Sequence, residues 1–229
     1  VNGEIFTVTG TNASTGCSNT DQVSVTVNPI ENATFTLTDY CEGATNSATI
    51  TGTTGGTFTF NPVPTDGATI DGSTGEITDG VGGTTYTVEY TTPGACPDAL
   101  TQDVLVKPIP TVDPVTNIEV CNGDAIAVTF TGTEPFTNYV WTNSVTTIGL
   151  AASGNGDIAS FNGVNNGTTV VVSNLTVTPS LNGCTGTTEN FTITVNPTED
   201  ATFTLTDYCE GATNSATITG TTGGTFTFN

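Results

Sequence analysis

The chain of 229 residues carries 22 Asp and Glu against one basic residue, Lys107, and has neither His nor Met, for a net charge of −21. Such a surface repels phosphate backbones and anionic lipid heads, which are bound through clustered Lys and Arg, so neither nucleic acid nor direct membrane insertion is expected. The lack of His removes the base of Ser-His and Cys-His catalysis, no GxxxxGK(S/T) loop is present to cradle a phosphate, and an enzyme is not expected.

Taken in chain order, residues 1–28 close on DQVSVTVNP, a strand-like run stopped by Pro. They lack the basic start of a signal peptide, and no apolar run approaches the roughly 18 residues that cross a bilayer, so any targeting signal is expected elsewhere. Residues 33–61 read ATFTLTDYCEGATNSATITGTTGGTFTFN, and residues 201–229 repeat those 29 letters without a substitution, an offset of 201 − 33 = 168 residues. Fixed-period identity marks a repeat array. The expectation is that these residues are a window on a longer periodic protein, with NPVPTDGATIDGSTGEIT following Asn229.

TFTLT, TGTTGGTFTF, TTYTV and FTITV alternate Thr with apolar or aromatic residues, the period of strands with one buried and one wet face. Gly- and Asn-rich turns such as DGSTG, SGNGD and NGVNNG separate them. The expected fold class is all-β. Disorder is the competing expectation for an acidic, polar chain; 34% hydrophobic residues in strand periods favour small packed cores.

The six cysteines are of two kinds. Cys41, Cys121 and Cys209 open a motif (YCEG, VCNG, YCEG), whereas Cys17, Cys96 and Cys184 follow a turn and lead into a final strand. Connectivity is not fixed by sequence, and six cysteines allow 15 pairings. The rhythm of openers and closers favours Cys41–Cys96 and Cys121–Cys184, one disulfide per domain, leaving Cys17 and Cys209 to partners outside the window. Free buried thiols are the alternative. Each such loop would stabilise its domain by about 4 kcal/mol on the chain-entropy model, and disulfides imply an oxidising, extracytoplasmic compartment. Because the final strands end at Pro29, Pro108 to Pro110 and Pro197, the expected domains are the tail of one (1–28), two complete domains (29–109 and 110–197) and the head of a third (198–229, copying 30–61).

Trp141, 20 residues after Cys121, is expected in a core against an inter-sheet disulfide, as on the third strand of an immunoglobulin-like sandwich. Phe58 and Phe60 take that role in the preceding domain. ATIDGSTGEIT (68–78) reads as a tight hairpin with positive φ at Gly72 and Gly75.

Calcium is the one cofactor these residues suggest. Asp66, Asp71, Glu76 and Asp79 gather around Gly-rich turns, and Glu31, Glu199 and Asp200 flank the junctions, where a hard cation finds oxygen ligands. No DxDxDG loop is present, and diffuse solvated charge is the competing reading. Paired carboxylates such as Asp66 and Asp71 read as solvated charge rather than a glycosidase pair. The Asn-x-Ser/Thr sequons at Asn12, Asn32, Asn166, Asn174 and Asn190 matter only in a eukaryotic secretory pathway.

The stretch EVCNGDAIAVTFTG…NYVWTNSVTTIGLAASGNGDIASFN…LTVTPSLNGCTG…FTITVNP resembles the PKD-like domains of giant surface proteins of Bacteroidota, and ATIDGSTGEIT resembles the hairpin of bacterial Ig-like modules. The resemblance implies tandem Ig-like β-sandwiches in a secreted cell-surface adhesin or filament. It further implies type IX secretion, a place in gliding motility and surface adhesion, and partners in neighbouring repeats and the anchoring or motility machinery. The alternative is that the modules themselves bind surface polysaccharide through exposed loops 149–167 or 62–82.

Overall fold

A computed structural model describes residues 3–225. The first two residues of the 1–28 segment and the last four letters of the second copy, 226–229, lie outside the described residues. Among these residues the chain is all β with one 3-10 turn at Thr146–Ile148. It divides into two compact units, Val1–Pro108 and Ile109–Asn229.

In the first unit, β1 (Glu4–Thr11) and β2 (Ser18–Val25) pair antiparallel, and every residue of the two strands is exposed. A sandwich follows, built from β3 (Phe35–Thr36), β4 (Tyr40–Cys41), β5 (Thr49–Ile50), β6 (Thr57–Phe60), β7 (Thr69–Ile70), β8 (Ile77–Thr78), β9 (Thr85–Thr91) and β10 (Ala99–Lys107). The main sheet has the order β4-β10-β9-β6, with β3-β5 and β7-β8 as two-stranded pairs. Alternation drives the packing: in TYTVEYT of β9, Tyr86, Val88 and Tyr90 face inward while the Thr and Glu between them face out. Phe58 stacks 4.5 Å from Tyr90 and meets Phe35 edge-on at 5.3 Å, and Phe60 lies 5.4 Å from Tyr86. Burying each such ring contributes on the order of 2 kcal/mol. The buried Tyr90 hydroxyl is satisfied, donating to Thr53 O at 2.8 Å and accepting from Gly56 N at 2.9 Å. A Cβ on Gly56 would lie 2.1 Å from Thr91 O, so only glycine fits there.

The second unit repeats the plan with β11 (Ile118–Cys121), β12 (Ala125–Val128), β13 (Asn138–Asn143), β14 (Ser153–Asn155), β15 (Ile158–Asn162), β16 (Val171–Leu181), β17 (Cys184–Thr185) and β18 (Glu189–Asn196). The large sheet runs β11-β18-β16-β13-β14, with β17 on β16, and β12 pairs with β15. Ile126, Val128 and Ile158 from the small pair close over Trp141, Leu175, Val177, Phe191, Ile193 and Val195. Trp141 is 6% exposed on β13, in the same core position relative to the sheet as Phe58 and Phe60 on β6. Asn143 is buried but satisfied, its amide donating to Val145, Leu150 and Ala151 carbonyls at 3.0–3.2 Å. Both sandwiches have the immunoglobulin-like arrangement in which the entering strand lies parallel to the leaving one.

Finally, β19 (Phe203–Thr204) and β20 (Thr217–Ile218) form a hairpin in the same register as β3 and β5. Phe203 faces Ile218 as Phe35 faces Ile50.

Three expectations are corrected. The pairs Cys41–Cys96 and Cys121–Cys184 do not form: Cys17, Cys96, Cys121 and Cys209 are free thiols, and Cys41 and Cys184 are disulfide-bonded. The reason is positional. Cys121 lies on β11 and Cys184 on β17, two strands of one sheet, so they cannot staple two sheets across Trp141. In the 68–78 hairpin, only Gly75 has positive φ (69°); Gly72 instead accepts from Phe58 N at 2.9 Å, tying the hairpin to β6. Residues 149–167 are not an open loop. They contain β14 and β15, with Leu150 and Ile158 buried, and 62–82 likewise contains β7 and β8 over buried Ala68 and Ile77.

Candidate functional site

The feature common to both sandwiches is a parallel seam between an early strand and the last one, β4 on β10 and β11 on β18. In the first, Tyr40 and Cys41 pair with Val106 and Lys107, and Glu42 N donates to Lys107 O at 2.9 Å. Side chains lengthen the seam: Gln102 both accepts from Leu37 N (3.0 Å) and donates to Leu37 O (3.1 Å), and Asp39 accepts from Leu105 N (2.9 Å). In the second, Ile118 to Cys121 pair with Ile193 to Asn196. Asn122 N donates to Asn196 O at 2.9 Å, Asn117 accepts from Thr192 N at 2.9 Å and Glu119 accepts from the Asn196 amide at 3.0 Å. Because these strands run parallel, tension applied where the chain enters and leaves a sandwich loads every seam bond at once, in shear.

The cysteines sit at the ends of the seams. Cys41 and Cys121 stand beside the last residues of β10 and β18, where the chain leaves. Each begins the same turn, with the amide three residues on, directly after the turn glycine, donating back to the cysteine carbonyl: Ala44 N to Cys41 O at 2.9 Å and Asp124 N to Cys121 O at 3.1 Å. Ala212 N to Cys209 O, 3.0 Å, repeats it. Cys96 and Cys184 stand at the opposite ends, where the chain enters. Cys96 O accepts from Glu31 N at 3.2 Å, and its Sγ lies 3.7 Å from Asn28 O. Cys184 is buried in the β16–β17 hairpin, and a Cβ on the neighbouring Gly186 would lie 1.8 Å from Pro110 O.

The four acidic residues proposed for calcium do not converge, and among the described residues no group of three or more Asp, Glu, Cys or His could hold a metal. Local hydrogen bonds consume Asp66 and Asp71. Asp66 accepts from the Tyr86 hydroxyl at 2.6 Å and from Ala68 N at 3.1 Å, which holds its carboxyl below the ordinary range. Burial, then Asp66, pushes the Tyr86 phenol up. Asp71 caps its own turn, accepting from Ser73 Oγ at 2.6 Å and from Ser73 N and Thr74 N at 2.8 Å; led by the Ser73 hydroxyl, these lower its pKa to about 2. Glu76 and Asp79, with Tyr40 and Glu42, line a pocket of about 490 Å³. Burial raises the Tyr40 phenol, whose hydroxyl has no partner.

Phe136, 95% exposed with φ of 62°, escaped the sequence reading, although the preceding Glu-Pro marks a turn. It precedes Asn138, which pairs with Ser180 at the Cys184 end of its sandwich.

No protein-family model matches the chain, and no curated protein does. Among solved structures it is similar to the crystal structure of Dpr11 IG1 bound to DIP-gamma, at 10% identity over 73% of this chain and 100% of that one, with a TM-score of 0.38. A titin multidomain crystal structure matches at 17% identity over 82% and 73%, TM-score 0.36. The fibronectin(III)-like modules of Clostridium thermocellum CbhA match at 16% over 72% and 95%, TM-score 0.35. No described helix is long and apolar enough to cross a membrane.

Proposed function

We propose that this chain is a length of load-bearing stalk, tandem immunoglobulin-like domains that space a cell-surface adhesin or filament. The observation that carries this reading is the parallel seam, repeated in both sandwiches and reinforced by Gln102, Asp39, Asn117 and Glu119. Shear loading is the geometry in which backbone bonds resist together rather than one by one. Residues 29–109 and 110–197 are then complete domains, 1–28 the tail of a preceding one and 198–229 the head of a copy of the first. The likeness to PKD-like modules supports assignment to giant, type IX-secreted surface adhesins of Bacteroidota, such as the gliding-motility adhesin SprB. Its partners are neighbouring repeats and the anchoring machinery, and its place is outside the cell. The net charge of −21 keeps adjacent filaments apart.

Electron microscopy of the native protein tests this reading. The expected image is a beaded thread with one bead per domain, and compact globules overturn it. Phe136 alone favours a second reading, in which the modules bind polysaccharide by stacking on an exposed ring. Glycan-array binding that is lost in Phe136→Ala supports that reading; no binding leaves the stalk role alone.

A further inference from the structure

We propose that the cavity of about 490 Å³ in the first sandwich, walled by the turn after β4 and the loop after β8, binds a primary alkylammonium group. The two walls are tied together by Glu42, whose carboxylate accepts from Gly82 N at 3.1 Å. Glu42, Glu76 and Asp79 line the space, and no Lys or Arg is among its lining residues. Carboxylates alone would make no more than an acidic surface.

Tyr40 makes the difference. It lines the cavity, is 9% exposed, and its hydroxyl is buried with no hydrogen-bond partner. The wall is open beside that hydroxyl because residue 80 is glycine: a Cβ there would lie 2.6 Å from Tyr40 Oη and 3.4 Å from Ile77 Cγ2, filling the space a ligand needs. Burial, then the neighbouring Tyr86, raises the phenol, so it stays neutral and can accept a hydrogen bond. A buried hydroxyl without a partner is a cost that a ligand's donor offsets.

The lining selects the chemistry of the ligand. Carboxylates only accept hydrogen bonds, so the ligand must bring donors and positive charge. Glu42, Glu76 and Asp79 do not gather as the ligands of a metal ion do, and Ala44, Ile77 and Val81 present hydrocarbon beside them. An ammonium on an alkyl stem meets both demands, with N–H donors at its charged end and methylenes for the apolar wall. Free amines and the lysine side chains of other proteins both carry that group. The site stands whether or not the array serves as a stalk.

The intact chain, titrated with cadaverine at physiological ionic strength, should show saturable NMR shifts at the Tyr40 ring and at the Ile77 and Gly80 amides; shifts that do not saturate overturn the proposal. Glu76→Gln and Asp79→Asn should each weaken binding roughly threefold, whereas Glu4→Gln, which removes the same charge from exposed β1, should not. Equal weakening in all three would mean that net charge alone attracts the amine, and overturns the site. Tyr40→Phe keeps the ring and should weaken binding roughly tenfold while leaving the urea midpoint unchanged or higher; unchanged affinity overturns the role of the hydroxyl. Pentanol, a similar stem without charge, should give no saturable shifts, and binding equal to that of cadaverine overturns the assignment of an ammonium. Shifts at the same residues with Nα-acetyl-lysine N-methylamide assign a lysine side chain as the source, and binding of cadaverine alone assigns a free amine.

Discussion

Leu37 and Leu205 directly follow β3 and β19 in two identical 29-residue segments, yet Leu37 is 4% exposed and Leu205 55%. The local structure is the same in both: Thr51 N and Gly52 N both donate to Thr34 O at 2.9 Å, and Thr219 N and Gly220 N both donate to Thr202 O at 3.0 Å. Sequence neighbours therefore set the hairpin, and distant strands set the burial. Leu37 packs in a core supplied by β6, β9 and β10. Leu37→Ala should cost the first sandwich about 2–5 kcal/mol, and Leu205→Ala in this chain less than about 0.5 kcal/mol, as read by urea denaturation. Equal losses would mean that the second copy already shares a core.

The limits of the sequence reading have the same origin. Period-two alternation and turn glycines made the strands around Trp141, Phe58 and Phe60 legible, because those signals are local. Cysteine pairing was not legible. Order along the chain sets Cys96 next after Cys41, but the parallel pairing of β4 with β10 carries the two to opposite ends of one strand. Asp66, Asp71, Glu76 and Asp79 cluster in sequence, yet Asp66 serves Tyr86 and Asp71 serves its own turn. Residues 149–167 read as loop because Ile148, Leu150 and Ile158, all buried, follow no single period.

The close approach of Gly154 to Trp141 gives a sharp packing test. A Cβ at Gly154 would lie 2.3 Å from Cζ2 of the indole, so one ring or strand must move. Gly154→Ala should destabilise the second sandwich by about 1–3 kcal/mol, with Trp fluorescence reporting the transition. Gly10→Ala, where a Cβ meets nothing within 4 Å, serves as the control and should be near neutral.

Asp71 gives the pH test. Its folded pKa of about 2 lies below the ordinary 3.8, so its contribution is present above the unfolded value and is lost as pH falls through about 2. The Ser73 and Thr74 amides should hold their exchange protection down to about pH 3 and lose it below. Asp71→Asn keeps an acceptor without the titrating charge and should abolish that step. A carboxyl titrating near 3.8 by NMR would show that the turn does not hold the anion.

Force spectroscopy tests the seams. Gln102 bonds both the amide and the carbonyl of Leu37, and Asp39 accepts from Leu105 N at 2.9 Å, so side chains extend the parallel pairing of β4 with β10. A chain pulled from its ends under reducing conditions should show the first sandwich resisting until that seam shears. Gln102→Ala removes both bonds to Leu37 and should lower the force at which this sandwich unfolds. Thr87→Val, which removes an exposed side-chain bond to Asp103 between β9 and β10 and leaves the seam intact, should leave that force unchanged. Equal forces for Gln102→Ala and the unsubstituted chain would show that the seam does not carry the tension.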